Sequence, residues 1–292
     1  MKKLFYQVLD FILFSNIFMA LCAVAQGMVT YQLLNAQPDK YVLGLLFAAT
    51  LALYNFSILL AKPADPSQSQ FKRVRWFFDH YRLMISITII AVLALIPLVL
   101  FLTTTSIILL GFLGVLSVSY NLPLFSFHEK KFGLRNIPGI KLFLIALVWS
   151  LSCVSLPIVE LESHGIISVS SRDTILLLTK RFLFIAALAV PFDIRDLFQD
   201  RNYDLKTIPV VLGEKKAYLF CLVLLLFYLI LLFLFNNGFD ANFWGLAITI
   251  FLAGWLIFKS DRKKDEYYYF FYLDGVLILQ FLFLSLTSLA SR

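Results

Sequence analysis

Histidine and cysteine are scarce in this chain, three of each among 292 residues. His80, His128 and His164 are scattered through loops, and Cys22, Cys153 and Cys221 all sit in apolar segments without a CxxC pair. That excludes the usual zinc spacings and any Cys/His nucleophile pair, and leaves the cysteines as packing residues. Charge is thin as well: Asp, Glu, Lys and Arg make up 15% of the chain, against roughly 25% in a soluble domain. No long polar or Gly/Ser-rich stretch is present to link a separate soluble domain. The short alternating segments of an outer-membrane barrel are missing too.

What fills the chain is hydrocarbon. Hydrophobic residues reach 61%, including 31 phenylalanines, and the mean hydropathy is +0.86. These values predict an all-α, polytopic integral membrane protein forming one transmembrane domain over residues 1–292. Nine apolar runs approach the ~20 residues that cross a bilayer: 11–34, 41–60, 83–102, 104–119, 140–159, 174–192, 217–236, 241–258 and 268–289. The fourth is short. Twenty of the 25 Lys and Arg fall at the N-terminus or in the loops after the even-numbered runs. The positive-inside rule then puts the N-terminus and those loops in the cytoplasm, as expected for a cell (inner) membrane protein with its reaction centre on the cytoplasmic side. Membrane insertion accounts for these basic loops, so they do not imply nucleic acid. Lys2-Lys3, an apolar stretch and Ala23-Val24-Ala25 imitate a signal peptide, but the stretch runs on to Leu34, too long for an h-region.

Three placements of charge remain. Lys180 and Arg181 fall within the sixth run, where ionisable groups are functional by default. They either line a polar cavity or snorkel to the outer surface, and the second reading is preferred. Asp274 follows Tyr267-Tyr268-Tyr269 and either joins such a cavity or pairs with a lysine. The third placement is the most informative. Asp193, Asp196, Asp200 and Asp204 follow the sixth run directly. On a continued helix they would stand at about 0°, 300°, 340° and 20°, a single acidic face. Arg195 would project elsewhere, so the carboxylates are expected to be unpaired. Unpaired carboxylates at a membrane surface suit a hard cation such as Mg²⁺, commonly shared with a phosphate. A merely solvated acidic surface is the competing reading.

Phe192-Asp193-Ile194-Arg195-Asp196 with Asp200, then Thr207-Ile208-Pro209-Val210 and Gly213, resembles the second aspartate-rich motif of the UbiA-type intramembrane prenyltransferases. Tyr120-Asn121-Leu122-Pro123, Lys130, Lys131 and Arg135 resemble that family's loop between spans four and five. The first motif of the family is represented only by Asn55, because its acid positions read Leu59 and Pro63. The resemblance implies a bundle of about nine helices and Mg²⁺-dependent transfer of an isoprenoid chain from its diphosphate to a lipophilic or aromatic acceptor. It further implies metal at Asp193, Asp196, Asp200 and Asn55, with Asp204 a weaker candidate. Asp196 and Asp200 would be catalytic, and Asn55, Tyr120, Lys131 and Arg135 would touch substrate. A catalytically divergent lipid-binding or scaffold protein is the alternative that the missing acids favour. A secondary transporter would need Gly/Pro-broken spans in matching halves, and no such pair is evident.

Overall fold

In a computed structural model of the chain, residues 2–122, 125–127, 130–132, 134, 137, 139–197, 206–235 and 238–290 are described; the side chains of 2, 121, 125–127 and 130–132 are not. The described residues are almost wholly helical. Helices α1 (Lys2–Phe14) and α2 (Ile17–Leu33) are followed by α3 (Lys40–Leu60), α4 (Lys72–Asp79), α5 (Tyr81–Leu100) and α6 (Thr104–Asn121). A small hairpin, β1 (Phe125–Phe127) and β2 (Lys130–Phe132), pairs antiparallel with Ser126 opposite Lys131. Then come α7 (Ile140–Ser150), a π-helical stretch Leu151–Ser155, α8 (Leu156–Ser163) and α9 (Ser171–Arg195). The chain closes with α10 (Ile208–Leu212), α11 (Glu214–Phe235), α12 (Ala241–Lys259), a second π-helical stretch Tyr268–Leu273 and α13 (Gly275–Ala290).

Among the described residues, seven helical segments are long and apolar enough to cross a membrane, and their ends fall near the predicted runs. Two runs look different. The first, 11–34, is broken into α1 and α2 by a 62° bend, and the fourth is the short apolar helix Thr104–Tyr120. The bend sits at Asn16, which adopts φ 68 and ψ 8. Asparagine is among the few L-residues that enter the left-handed region at modest cost. The polar stretch 61–82 also contains more than loop. In α4, Phe77 is fully buried and Trp76 lies against Phe14 of α1, 6.0 Å between centroids. Glu266 caps this helix from across the fold, its carboxylate accepting from the backbone N–H groups of Lys72 and Arg73 (3.0 Å for the latter). An anion at a helix N-terminus meets unsatisfied donors and the positive dipole end.

The main core joins α2, α3, α7, α9, α11, α12 and α13. Close backbone approach occurs between α12 and α13, where a Cβ at Gly245 would come within 2.8 Å of Leu284 Cα. Deep in this core Arg181 is buried, which overturns the snorkelling reading for that residue, while Lys180 is half-buried. Its Nη1 donates to the Gln26 carbonyl at 2.9 Å and to Gln26 Oε1, and its Nη2 donates to Thr30 Oγ1 at 3.3 Å. Gln26 in turn donates to the Leu277 carbonyl (2.8 Å) and to Gln280 Oε1 (3.1 Å). The π-helical stretch turns the Cys153 carbonyl to accept from Thr30 Oγ1 at 2.7 Å. As expected, all three cysteines are buried and free.

Candidate active site

Polar side chains from α1–α2, α3, α4, α7, α9 and the second π-helical stretch converge at one end of the bundle. The bend at Asn16 turns its side chain inward instead of capping α2, so that Nδ2 donates to Asn55 Oδ1 at 2.6 Å. Asn55 is fully buried, as a residue facing lipid would not be. Arg73 Nη2 donates to the remaining oxygen, Asn16 Oδ1. The Arg73 guanidinium lies on the face of Phe270, its Cζ 4.6 Å from the ring centroid. Arg195 lies on the same ring at 5.2 Å. Asp274, buried beside them, acts electrostatically on both guanidiniums without a hydrogen bond to either. Burial, and next the like charge of Arg195, pull the Arg73 guanidinium down to about 10, with Asp274 opposing; it stays charged at neutral pH.

The acidic stripe is not what periodicity predicted. Helix α9 ends at Arg195, and Asp196 is its C-cap with φ −86 and ψ 5. Pro191, four residues before Arg195, removes one N–H from the last turns. Asp193 is buried and pairs with Lys141 of α7, Nζ to Oδ1 2.6 Å. Asp196 takes a two-pronged contact from Arg195, Nε to Oδ1 2.8 Å and Nη2 to Oδ2 3.1 Å. The expectation of unpaired carboxylates is therefore corrected for both described acids. Neighbours at i,i+1 cannot face each other on a helix. Because the helix stops at Arg195, that prohibition lapses.

Asp200, Asp204 and Arg135 lie outside the described residues, as does the Lys131 side chain. Tyr120 lines a cavity of about 710 Å³ walled by α3, α5, α6 and α7. The cavity surface is overwhelmingly apolar, with Tyr54, Ser57 and Tyr120 among its few polar lining residues. Tyr54 precedes Asn55 in the chain, lies in hydrogen-bonding reach of Trp149 and feels the charges of Asp274 and Arg73. The chamber therefore adjoins the charged cluster.

Fit to a divalent cation differs between the two halves. Asp193 and Asp196 offer hard carboxylate oxygens, the donor type that Mg²⁺ takes. Asn55, by contrast, has its oxygen engaged by Asn16 and its Nδ2, a donor, without a partner. Among the described residues no three acidic, His or Cys groups gather closely enough to form a metal site. The residues that sequence reasoning missed are Asn16, Arg73 and Lys141. Arg73 lies in a basic-aromatic stretch, 71–78, whose charges membrane insertion alone would account for.

Fold and site together define a polytopic helical membrane protein with an apolar chamber ending at a buried cluster of Arg, Asp and Asn. Structures of the same fold come from two archaea. A UbiA homologue from Aeropyrum pernix K1 without ligand aligns with TM-score 0.66 at 14% identity, covering 94% of this chain and 98% of its own. A UbiA homologue from Archaeoglobus fulgidus bound to GPP and Mg²⁺ also gives 0.66 at 14% identity, covering 96% and 98%. The same homologue bound to DMAPP and Mg²⁺ gives 0.63 at 14% identity. No curated protein sequence matches this one. The chain belongs to the UbiA prenyltransferase family, whose profile matches residues 79–274.

Proposed function

We propose that this protein is a membrane prenyltransferase that moves an isoprenoid chain from its diphosphate to a lipophilic or aromatic acceptor. The observation that carries this reading is the adjacency of the 710 Å³ apolar chamber to the Arg–Asp–Asn cluster. An amphiphile with a long hydrocarbon tail and an anionic head matches that arrangement. Family membership and the isoprenoid diphosphates bound to the Archaeoglobus homologue point the same way.

In this reading Asp196, Asp200 and Asp193 hold Mg²⁺, which when bound neutralises the diphosphate leaving group. Asn55 lies across from them, and Tyr120, Lys131 and Arg135 contact substrate. The allylic C–O bond breaks with its electron pair leaving on diphosphate, the acceptor nucleophile attacks the allylic cation, and a proton is lost from the acceptor. Tyr54, Tyr120 and Trp149 line the chamber, where aromatic rings stabilise positive charge and exclude water. The distribution of basic loops supports a reading in which the N-terminus and this end of the bundle face the cytoplasm.

The test is pyrophosphate release from purified protein given Mg²⁺, allylic diphosphates and a panel of acceptors. Release that disappears in Asp196→Ala and Asp200→Ala supports transfer. A second reading, lipid binding without turnover, is favoured by the engagement of Asp193 and Asp196 with Lys141 and Arg195. Tight binding with no release under any combination would establish it.

A further inference from the structure

Three nitrogen atoms in the candidate site are buried and make no hydrogen bond: Asn55 Nδ2, Arg73 Nε and Arg195 Nη1. They come from α3, α4 and the end of α9, and all three are donors. Asn55 cannot turn its amide around to help, since its oxygen already accepts from Asn16 at 2.6 Å. Arg73 forms no ion pair among the described residues; its guanidinium is held by Asn16 and by the face of Phe270. Arg195 spends Nε and Nη2 on Asp196, leaving Nη1. Both guanidiniums lie on one ring, 4.6 and 5.2 Å from its centroid, so two like charges are held close together. Buried donors without acceptors and neighbouring cations are each unfavourable, and an oxyanion relieves both at once. Asp274, Asp196 and Glu266 face this group, yet none of their oxygens reaches the three open N–H groups. A metal site would present oxygen acceptors here. This chain presents nitrogen donors, and Leu59 and Pro63 add none.

We infer that the Asn55 side of the site binds the diphosphate directly, with Arg73, Arg195 and Asn55 donating to its oxygens where carboxylate-bound metal would otherwise stand. The inference rests on the prenyl-diphosphate reading above and adds a consequence to it: substrate binding survives removal of divalent cations. Guanidinium forks suit phosphate oxygens in geometry as well as charge.

Calorimetric titration of geranyl diphosphate into the purified full chain in detergent, with EDTA and then with Mg²⁺, decides the point. The expected result is retained binding in EDTA, weaker than with Mg²⁺ by no more than about tenfold. In EDTA, Arg73→Gln should weaken binding by about ten- to a hundredfold, and Arg73→Lys, which keeps charge but loses the fork, by less. Asn55→Asp, which turns a donor into an acceptor, should weaken binding in EDTA while steepening its dependence on Mg²⁺. Binding that vanishes in EDTA and returns with Mg²⁺ overturns the inference and leaves the prenyltransferase reading standing. No binding in either buffer overturns both. The wild-type comparison needs no variant to fold.

Discussion

Replacing Lys141 with methionine tests how the candidate site is held together. Its ammonium is 2.6 Å from Asp193 Oδ1, and the two side chains are 22% and 6% exposed, respectively. Breaking a buried pair typically costs about 3–5 kcal/mol, because the abandoned charge stays desolvated. Here the two ends are unequal. Lys141→Met removes the ammonium beside the carboxylate, which is the deeper member and sits in the last turn of α9, where the helix dipole disfavours an anion. A loss of about 3 kcal/mol is expected. Asp193→Asn removes the charge beside the lysine, which already reaches water, and should lose about 1 kcal/mol. The double variant leaves neither charge behind, so the two effects should fall short of additivity by about 2 kcal/mol. Unfolding in mixed micelles by SDS titration measures all four species. Asp193→Asn costing as much as Lys141→Met, or strict additivity, would refute this account of the pair.

Other outcomes follow from separate features. Gly245→Ala forces a Cβ within 2.8 Å of Leu284 Cα and Thr287 Oγ1 and should destabilise by about 1–3 kcal/mol. Gly111→Ala meets nothing within 4 Å and should be neutral or stabilising by up to about 1 kcal/mol; in thermal melts only the Gly245 variant should fall. Asn16→Ala loses both the bond to Asn55 and the tolerance for φ 68, whereas Asn16→Gly loses only the first. The alanine variant should melt as though about 1 kcal/mol less stable than the glycine variant. Gly114 lies on the chamber wall with open space around it. Gly114→Phe should weaken binding of a twenty-carbon diphosphate by about tenfold while sparing a five-carbon one, as competition titration would show.

The membrane-length helices were legible because an apolar run of that length has few other uses; Tyr81–Leu100 and Ala241–Lys259 fall almost where hydropathy put them. The bend at Asn16 was not, since Ser15 and Asn16 are too few to interrupt a hydropathy window. Helix α4 was hidden for a different reason: its order comes from Glu266 and from the rings of α1, both remote in sequence. At the site, Asn55 was singled out only through the resemblance to the family's first motif. Arg73 was masked by a sufficient explanation, because any cytoplasmic loop carries arginine. The Lys141–Asp193 pair joins residues 52 positions apart, which no local pattern encodes. The Arg195–Asp196 contact depended on where α9 stops, and helix ends are the least predictable feature of a helix.

The Arg181–Gln26 network divides the bundle mechanically. Helices α2, α9 and α13 are stitched by hydrogen bonds that no hydrocarbon tail can replace, so sliding or parting them would strand polar groups in oil. Across the chamber, α5 and α6 contribute Val92 and Ile107, which line the cavity while remaining 48% and 40% exposed. One flank is therefore a fixed spine and the other a pliant wall touching the bilayer. Any widening to admit a bulkier tail falls on α5 and α6.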